Sequence, residues 1–187
     1  MTTNERALYI YNACRKAGMT YAGAIGVLGN LQGEASDFDS MSVETSYLRR
    51  IGLTEVEYTR RADNNEPVFD GKYFIKDSTG YGIAQWTYWG RKQNLLNYAR
   101  SQNKSVGDLD LQIAFMIKEM TGHYTPTWKI VSTTNSISEA VRICVTNYEK
   151  PANQGEAIQR RTGYANNWAK IIKDGDEYKE EVKPPPN

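Results

Sequence analysis

Glu34 stands in TYAGAIGVLGNLQGEAS, residues 20–36, a run of small and apolar residues with an acid near its end. Helical spacing places this carboxyl at the C-terminal end of a buried helix. Two effects there favour its protonated form: removal from water penalises the charge, and so does the negative end of the helix dipole. A carboxyl held in this way can donate a proton near neutral pH, as general-acid cleavage of a glycosidic bond requires. An ordinary exposed acid at a helix end has the same local sequence, so Glu34 must be judged by its company. Asp77, in KDSTGYG, is the second candidate. From that position it would hold a water or stabilise the positive charge that develops on a sugar ring. Asp37, Asp39 and Glu44 compete for the role, and Asp37 fits equally well as a turn or cap residue.

Around Asp77 the chain is dense in aromatic and amide side chains: Tyr81, Gln85, Trp86, Tyr88 and Trp89. Sugar-binding clefts use aromatic faces for the apolar sides of pyranose rings and amides for the hydroxyls. Tyr81, Gly82, Gln85 and Trp86 are therefore candidate substrate contacts, with Gly80 and Gly82 allowing close backbone approach. Tryptophans are also common in cores, and one of Trp86 and Trp89 in the core with the other on the cleft satisfies both demands. Tyr148, at the end of a predicted helix, can face the same cleft. His123 is the sole histidine and lies near a helix end at Gly122. Cys14 and Cys144 continue apolar rows and read as small buried hydrophobes, which gives a Cys–His peptidase, a disulfide or a metal site little support. HExxH, P-loop and GxSxG patterns do not occur.

The elements that must hold these residues are mostly helical. Residues 4–17 carry apolar side chains at helical spacing and stop at Gly18. Thr20 caps the glycine-rich helix, whose Gly23, Gly26, Gly29 and Gly33 would each cost about 1 kcal/mol against alanine on an exposed surface. Such a helix persists when close-packed neighbours bury it, so it is expected at the centre of the domain. Residues 43–64 read as two short helices, the second opened by the capping pattern Thr54-Glu55-Val56-Glu57. PVFDGKYFIKD, with Asp70-Gly71 between aromatic and β-branched residues, predicts a β-hairpin. Helical periodicity resumes from Trp89 to Gln102. Ser105 to Asp108 and Ser136 to Glu139 each open a further helix, the latter ending at Pro151. A last helix covers about 156–173. The expected fold is mainly α, an α+β arrangement of helices around a buried glycine-rich helix with one small hairpin lining the cleft.

With 187 residues, 40% apolar and 24% charged, the chain fits one globular domain. Residues 1–173 form that domain and 174–187 an acidic, proline-containing linker or tail. The tail holds five acids and two lysines, −3, so an overall charge of +1 leaves +4 on residues 1–173. A mildly basic body suits an anionic partner such as a bacterial wall, though solubilising charge explains it as well. No apolar stretch is long enough to insert in a membrane. The first residues lack the basic-then-apolar plan of a secretory signal.

Three segments, GVLGNLQGEAS, DSTGYGIAQWTYWGRKQNLLNYARS and NYEKPAN, together resemble the phage tail lysozyme family in content and order, over roughly Asn4 to Ile172. The family also supplies N-terminal domains of phage endolysins. The resemblance implies a lysozyme-superfamily fold related to goose-type lysozymes and lytic transglycosylases. It implies that Glu34 is the catalytic acid, although the serine usual after it is Ala35, with Ser36 next. Gly80 to Trp86 would contribute to the glycan cleft, and Tyr148 to Pro151 match the family's YE(R/K)P segment. Asp77 resembles an aspartate of goose-type relatives, at slightly different spacing. The implied reaction is cleavage of the β-1,4 bond between N-acetylmuramic acid and N-acetylglucosamine, with no metal or organic cofactor. Carboxyls about 6.5–9.5 Å apart would give inversion.

Peptidoglycan glycan strands are the implied partner, with no nucleic acid, and a wall-binding domain can follow the linker. The enzyme would be made in the host cytoplasm without a signal peptide, and act on the wall after release or within a phage particle. A lytic transglycosylase, in which the muramic acid 6-hydroxyl replaces water, and a non-catalytic wall-binding module are the alternatives.

Overall fold

The computed structural model describes residues 1–176, and among these nine α-helices carry nearly all the regular structure. α1 (Thr3–Lys16) begins with a capping box between Thr2 and Glu5 and ends before Gly18, whose φ of 108° suits glycine. α2 (Tyr21–Gln32) is capped by Thr20, which accepts from Gly23 N–H, and every residue from Ala22 to Leu31 is buried. α2 packs most extensively against α9 (Gln154–Ile171), then against α8 (Ile137–Ile143). The glycines make this possible. A Cβ on Gly29 would lie 2.5 Å from both the Arg161 carbonyl oxygen and the Ala165 Cβ of α9. The glycine-rich helix is thus central, as its composition demands.

α3 (Thr45–Ile51) and α4 (Glu55–Asp63) are the two short helices, with Thr54 capping α4 through Glu57 N–H. α5 (Trp89–Ser101) and α6 (Leu109–Gly122) follow, and α6 is capped by Asp108 rather than Ser105. α7 (Thr125–Val131), which the sequence did not announce, has a proline in its first turn. α8 runs directly into a π-helical segment, Cys144–Glu149, closed by Lys150 N–H on the Val145 carbonyl at 2.9 Å. π turns inside helices recur at functional sites because the extra residue redirects side chains.

The expected hairpin needs correction. Asp70 and Gly71 do adopt the left-handed conformations of a tight turn, with φ of 47° and 70°. Only one bridge, Phe69 with Lys72, flanks it, and the chain enters a 3-10 turn at Phe74–Lys76. The turn chemistry was right, but Phe74 leaves the ladder for the core and no strand extends. The predicted linker at 174–187 begins with Asp174, paired to Arg15 at 3.1 Å, and residues 177–187 lie outside the described residues. No helix among the described residues is long and apolar enough to cross a membrane.

Candidate active site

Glu34 lies two residues beyond the end of α2, in the closing turn where its N–H donates to the Leu31 carbonyl at 2.9 Å. Its Oε1 accepts from Arg161 Nη2 at 2.5 Å, and Arg161 Nη1 donates to Asn30 Oδ1 at 2.6 Å. Gly33 is what lets Arg161 reach across: a Cβ there would sit 2.6 Å from the guanidinium Nε. The Arg161 side chain is 3% exposed, whereas that of Glu34 is 18% exposed and reaches solvent. Among the described residues, Glu34 Oε2 takes no hydrogen bond.

Three further ionisable groups, none of them singled out from sequence, form a second network whose Glu149 feels the charges of Glu34 and Arg161. Glu119 of α6 is the hub: Arg91 Nε donates to its Oε1 at 2.9 Å and Arg91 Nη2 to its Oε2 at 2.7 Å. Trp86 Nε1 and the Tyr148 hydroxyl also donate to Oε2, at 2.9 and 2.6 Å. Such a fork of charge-assisted bonds fixes the Arg91 plane. Arg91 Nη1 then lies 3.9 Å from Glu149 Oε2, and its guanidinium stacks over the Tyr148 ring at 4.6 Å.

Glu149 ends the π-helical segment with a side chain only 5% exposed, and its Oε1 is buried without a hydrogen-bond partner. Burial first, then the nearby charge of Glu34, push its carboxyl well above the ordinary range, while Arg91 and Arg161 pull the other way. Three carboxyls face two guanidiniums, so a single bound proton brings the cluster to neutrality.

Asp77 does not join this group. Its side chain is fully buried, paired with Lys92 Nζ at 2.6 Å, hydrogen-bonded to the Tyr58 hydroxyl, and accepts from Thr79 N–H at 3.1 Å. Burial lowers the Lys92 ammonium despite the attraction of Asp77. A sealed, fully partnered carboxylate has no route to an attacking water, so the water-holding role expected of Asp77 does not match its surroundings. Its rivals are occupied as well. Asp37 and Asp39 accept from backbone N–H groups two residues on and pair with Arg6. Glu44 precedes α3 and accepts from Ser46 and Thr79.

The aromatic candidates divide. Tyr81 and Trp86 are wholly buried and Tyr148 nearly so, which leaves no ring face for a ligand. Gly82 has a φ of 76°, and its Cα faces the Gln112 amide, which also accepts from Ile83 N–H. Gln85 donates to the Ser42 and Gly82 carbonyls. Within this segment Trp86 reaches the carboxyl network, through its Nε1–H on Glu119. Tyr88 and Trp89, by contrast, are 61% and 51% exposed, their rings 5.6 Å apart. Tyr88, Asn94, Asn97 and Tyr98 line an open groove of about 870 Å³ between α5 and α6, and Arg91 and Glu119 of the cluster line it too. Cys14 and Cys144 are free and buried, and no group of three or more metal-ligating side chains is assembled among the described residues.

The described residues thus form a mainly helical domain whose central helix is followed by a solvent-reaching acid braced by an arginine. The model of the phage tail lysozyme family matches residues 5–172, and the chain belongs to that family. Its activity is therefore of the peptidoglycan-degrading, lysozyme-like kind. No curated protein matches the chain.

Proposed function

We propose that the chain is an N-acetylmuramidase that hydrolyses the β-1,4 bond between N-acetylmuramic acid and N-acetylglucosamine, with Glu34 as general acid. The observation that carries this reading is the state of Glu34: the most accessible carboxyl of the cluster, with Oε1 held by Arg161 and Oε2 left for a proton. Glu34 protonates the leaving oxygen as the anomeric carbon gains positive charge, and water then attacks that carbon. The groove between α5 and α6 supports a glycan strand as substrate. It combines amides and tyrosines in the way saccharide sites do and is lined by Arg91 and Glu119, while Glu34 lies outside its lining, so a bound strand must extend beyond the groove to reach the acid.

The burial of Asp77 favours one second reading. Without a carboxylate to hold water, the muramic acid 6-hydroxyl becomes a competent nucleophile, and the product is an anhydro-sugar. Mass spectrometry of digested peptidoglycan separates the two. Hydrolysis yields reducing muramic acid ends; anhydro ends would replace it with the transglycosylase reading. Glu34→Gln, which keeps the shape but has no proton to give, is expected to lower turnover at least about 100-fold. Wild-type turnover by that variant would remove Glu34 from the chemistry.

A further inference from the structure

Arg161 is buried on the face of α9 that meets α2, and two of its three guanidinium nitrogens are aimed at the end of that helix. Nη2 donates to Glu34 Oε1 at 2.5 Å and Nη1 to Asn30 Oδ1 at 2.6 Å. Asn30 is itself buried within α2, so the guanidinium is anchored through one nitrogen and presents another to the acid. The Arg161 stem lies across Gly33, where a Cβ would stand 2.9 Å from its Cγ and 3.0 Å from its Cδ. Stability alone does not account for this arrangement. Arg161 Nε and Asn30 Nδ2 are both buried without a hydrogen-bond partner among the described residues. Donors left bare in this way are costly, and each calls for a reason beyond packing.

A guanidinium only donates: it has no lone pair with which to take a hydrogen. While Glu34 Oε1 accepts from Nη2, the hydrogen of the acid belongs on Oε2, the oxygen that takes no hydrogen bond. We propose that Arg161 is a positioning residue: it selects Oε2 as the donating oxygen of Glu34 and holds the carboxyl plane in the orientation from which the proton is delivered. This rests on the assignment of Glu34 as the acid. In the delivery step the Oε2–H bond breaks, the leaving glycosidic oxygen gains the proton, and the electron pair of the anomeric C–O bond stays on that oxygen. The carboxylate left behind keeps its charge-assisted bond to Nη2, while Asn30 holds the guanidinium in place. A lysine carries its charge and donors on one nitrogen, so it would not hold Asn30 and Glu34 in this fixed fork.

The test compares the full chain as wild type, Arg161→Met, Arg161→Lys and Glu34→Gln on two substrates. One is solubilised peptidoglycan, whose leaving sugar needs a proton. The other is the 2,4-dinitrophenyl β-glycoside of an N-acetylglucosaminyl-N-acetylmuramic acid disaccharide, whose phenolate leaves without one. Arg161→Met is expected to lose about 10–100-fold in kcat on peptidoglycan, with KM within a few-fold of wild type because Arg161 touches no substrate. On the aryl glycoside its turnover is expected to stay within a few-fold of wild type. Arg161→Lys is expected to show the same selective loss to a smaller degree. The ratio of the two rates does not depend on how much of a variant is folded, so poor folding leaves the test readable. Equal losses on both substrates would overturn the proposal and leave Arg161 a structural brace. Undiminished peptidoglycan turnover by Arg161→Met, or a raised KM with an unchanged kcat, would overturn it too. Glu34→Gln keeps the two assignments apart. Full activity of that variant on peptidoglycan removes Glu34 from the chemistry, whereas an inactive Glu34→Gln beside an active Arg161→Met sinks the positioning role alone.

Discussion

At the scale of single residues, Asp77 and Lys92 show how chemistry-bearing side chains are spent on architecture. Both are fully buried, and between them they join α5, α4 through Tyr58, and the turn at Thr79. Removing one partner strands the other's charge in a medium that cannot solvate it, a loss of about 3–5 kcal/mol. Asp77→Asn is expected to lower the melting temperature sharply while leaving kcat/KM per folded molecule within a few-fold of wild type. Calorimetry and active-fraction kinetics read both quantities. An unchanged melting temperature with lost catalysis would return Asp77 to the chemistry. Sequence made the acid visible at position 77 but not its partner, since Lys92 lies fifteen residues on in another element. A signal was there: Lys92 shares a helix face with Leu95, Leu96 and Ala99, as Glu119 does with Phe115 and Met116, and Arg161 with Ala157, Ala165 and Trp168. A charge on an apolar stripe must be paired, and three such charges mark the interior networks of this fold.

At the scale of elements, α2 owes its place to what its side chains lack. Gly29 brings the α2 and α9 backbones into contact along the turn that carries Arg161, and Arg161 in turn holds Glu34. An added methyl at Gly29 meets backbone and cannot be absorbed by a rotamer change. Gly29→Ala is expected to cost about 1–3 kcal/mol, measured by denaturant unfolding, and to weaken catalysis through the displaced Arg161. A variant as stable and active as wild type would show that the helices separate freely. This helix was legible because glycine composition and burial imply each other. The hairpin was legible only as a turn, because local chemistry specifies Asp70-Gly71 while strand length depends on partners elsewhere. The π-helical segment gave no signal, being an insertion into an otherwise regular helical pattern. The resemblance did cover Tyr148 to Pro151, but without the fold Glu149 had no neighbours to give it meaning.

At the scale of the whole molecule, Arg161 and Glu34 join α9 to the turn after α2, and Arg91, Glu119 and Tyr148 join α5 and α6 to the π-helical segment that carries Glu149, so protonation of Glu149 is linked to the stability of the fold. Glu149 is raised in the folded protein by burial and by Glu34. The unfolded glutamate titrates near 4.3. Between that value and the higher native one, the folded state binds more protons than the unfolded state, so stability falls as pH rises through this window. Below it both states are protonated and the contribution vanishes. Glu149→Gln is a permanent mimic of the protonated carboxyl and escapes the penalty. The difference in melting temperature, variant minus wild type, is therefore expected to climb from about pH 4 toward the native titration range and then level off. Taking the difference cancels groups common to both proteins, such as Glu55, whose carboxyl is also raised by burial. Calorimetric melts from pH 4 to 9 supply the curve. A difference that stays flat across that range would mean that Glu149 carries no excess proton in the folded state, and that the cluster accommodates three negative charges with two arginines alone.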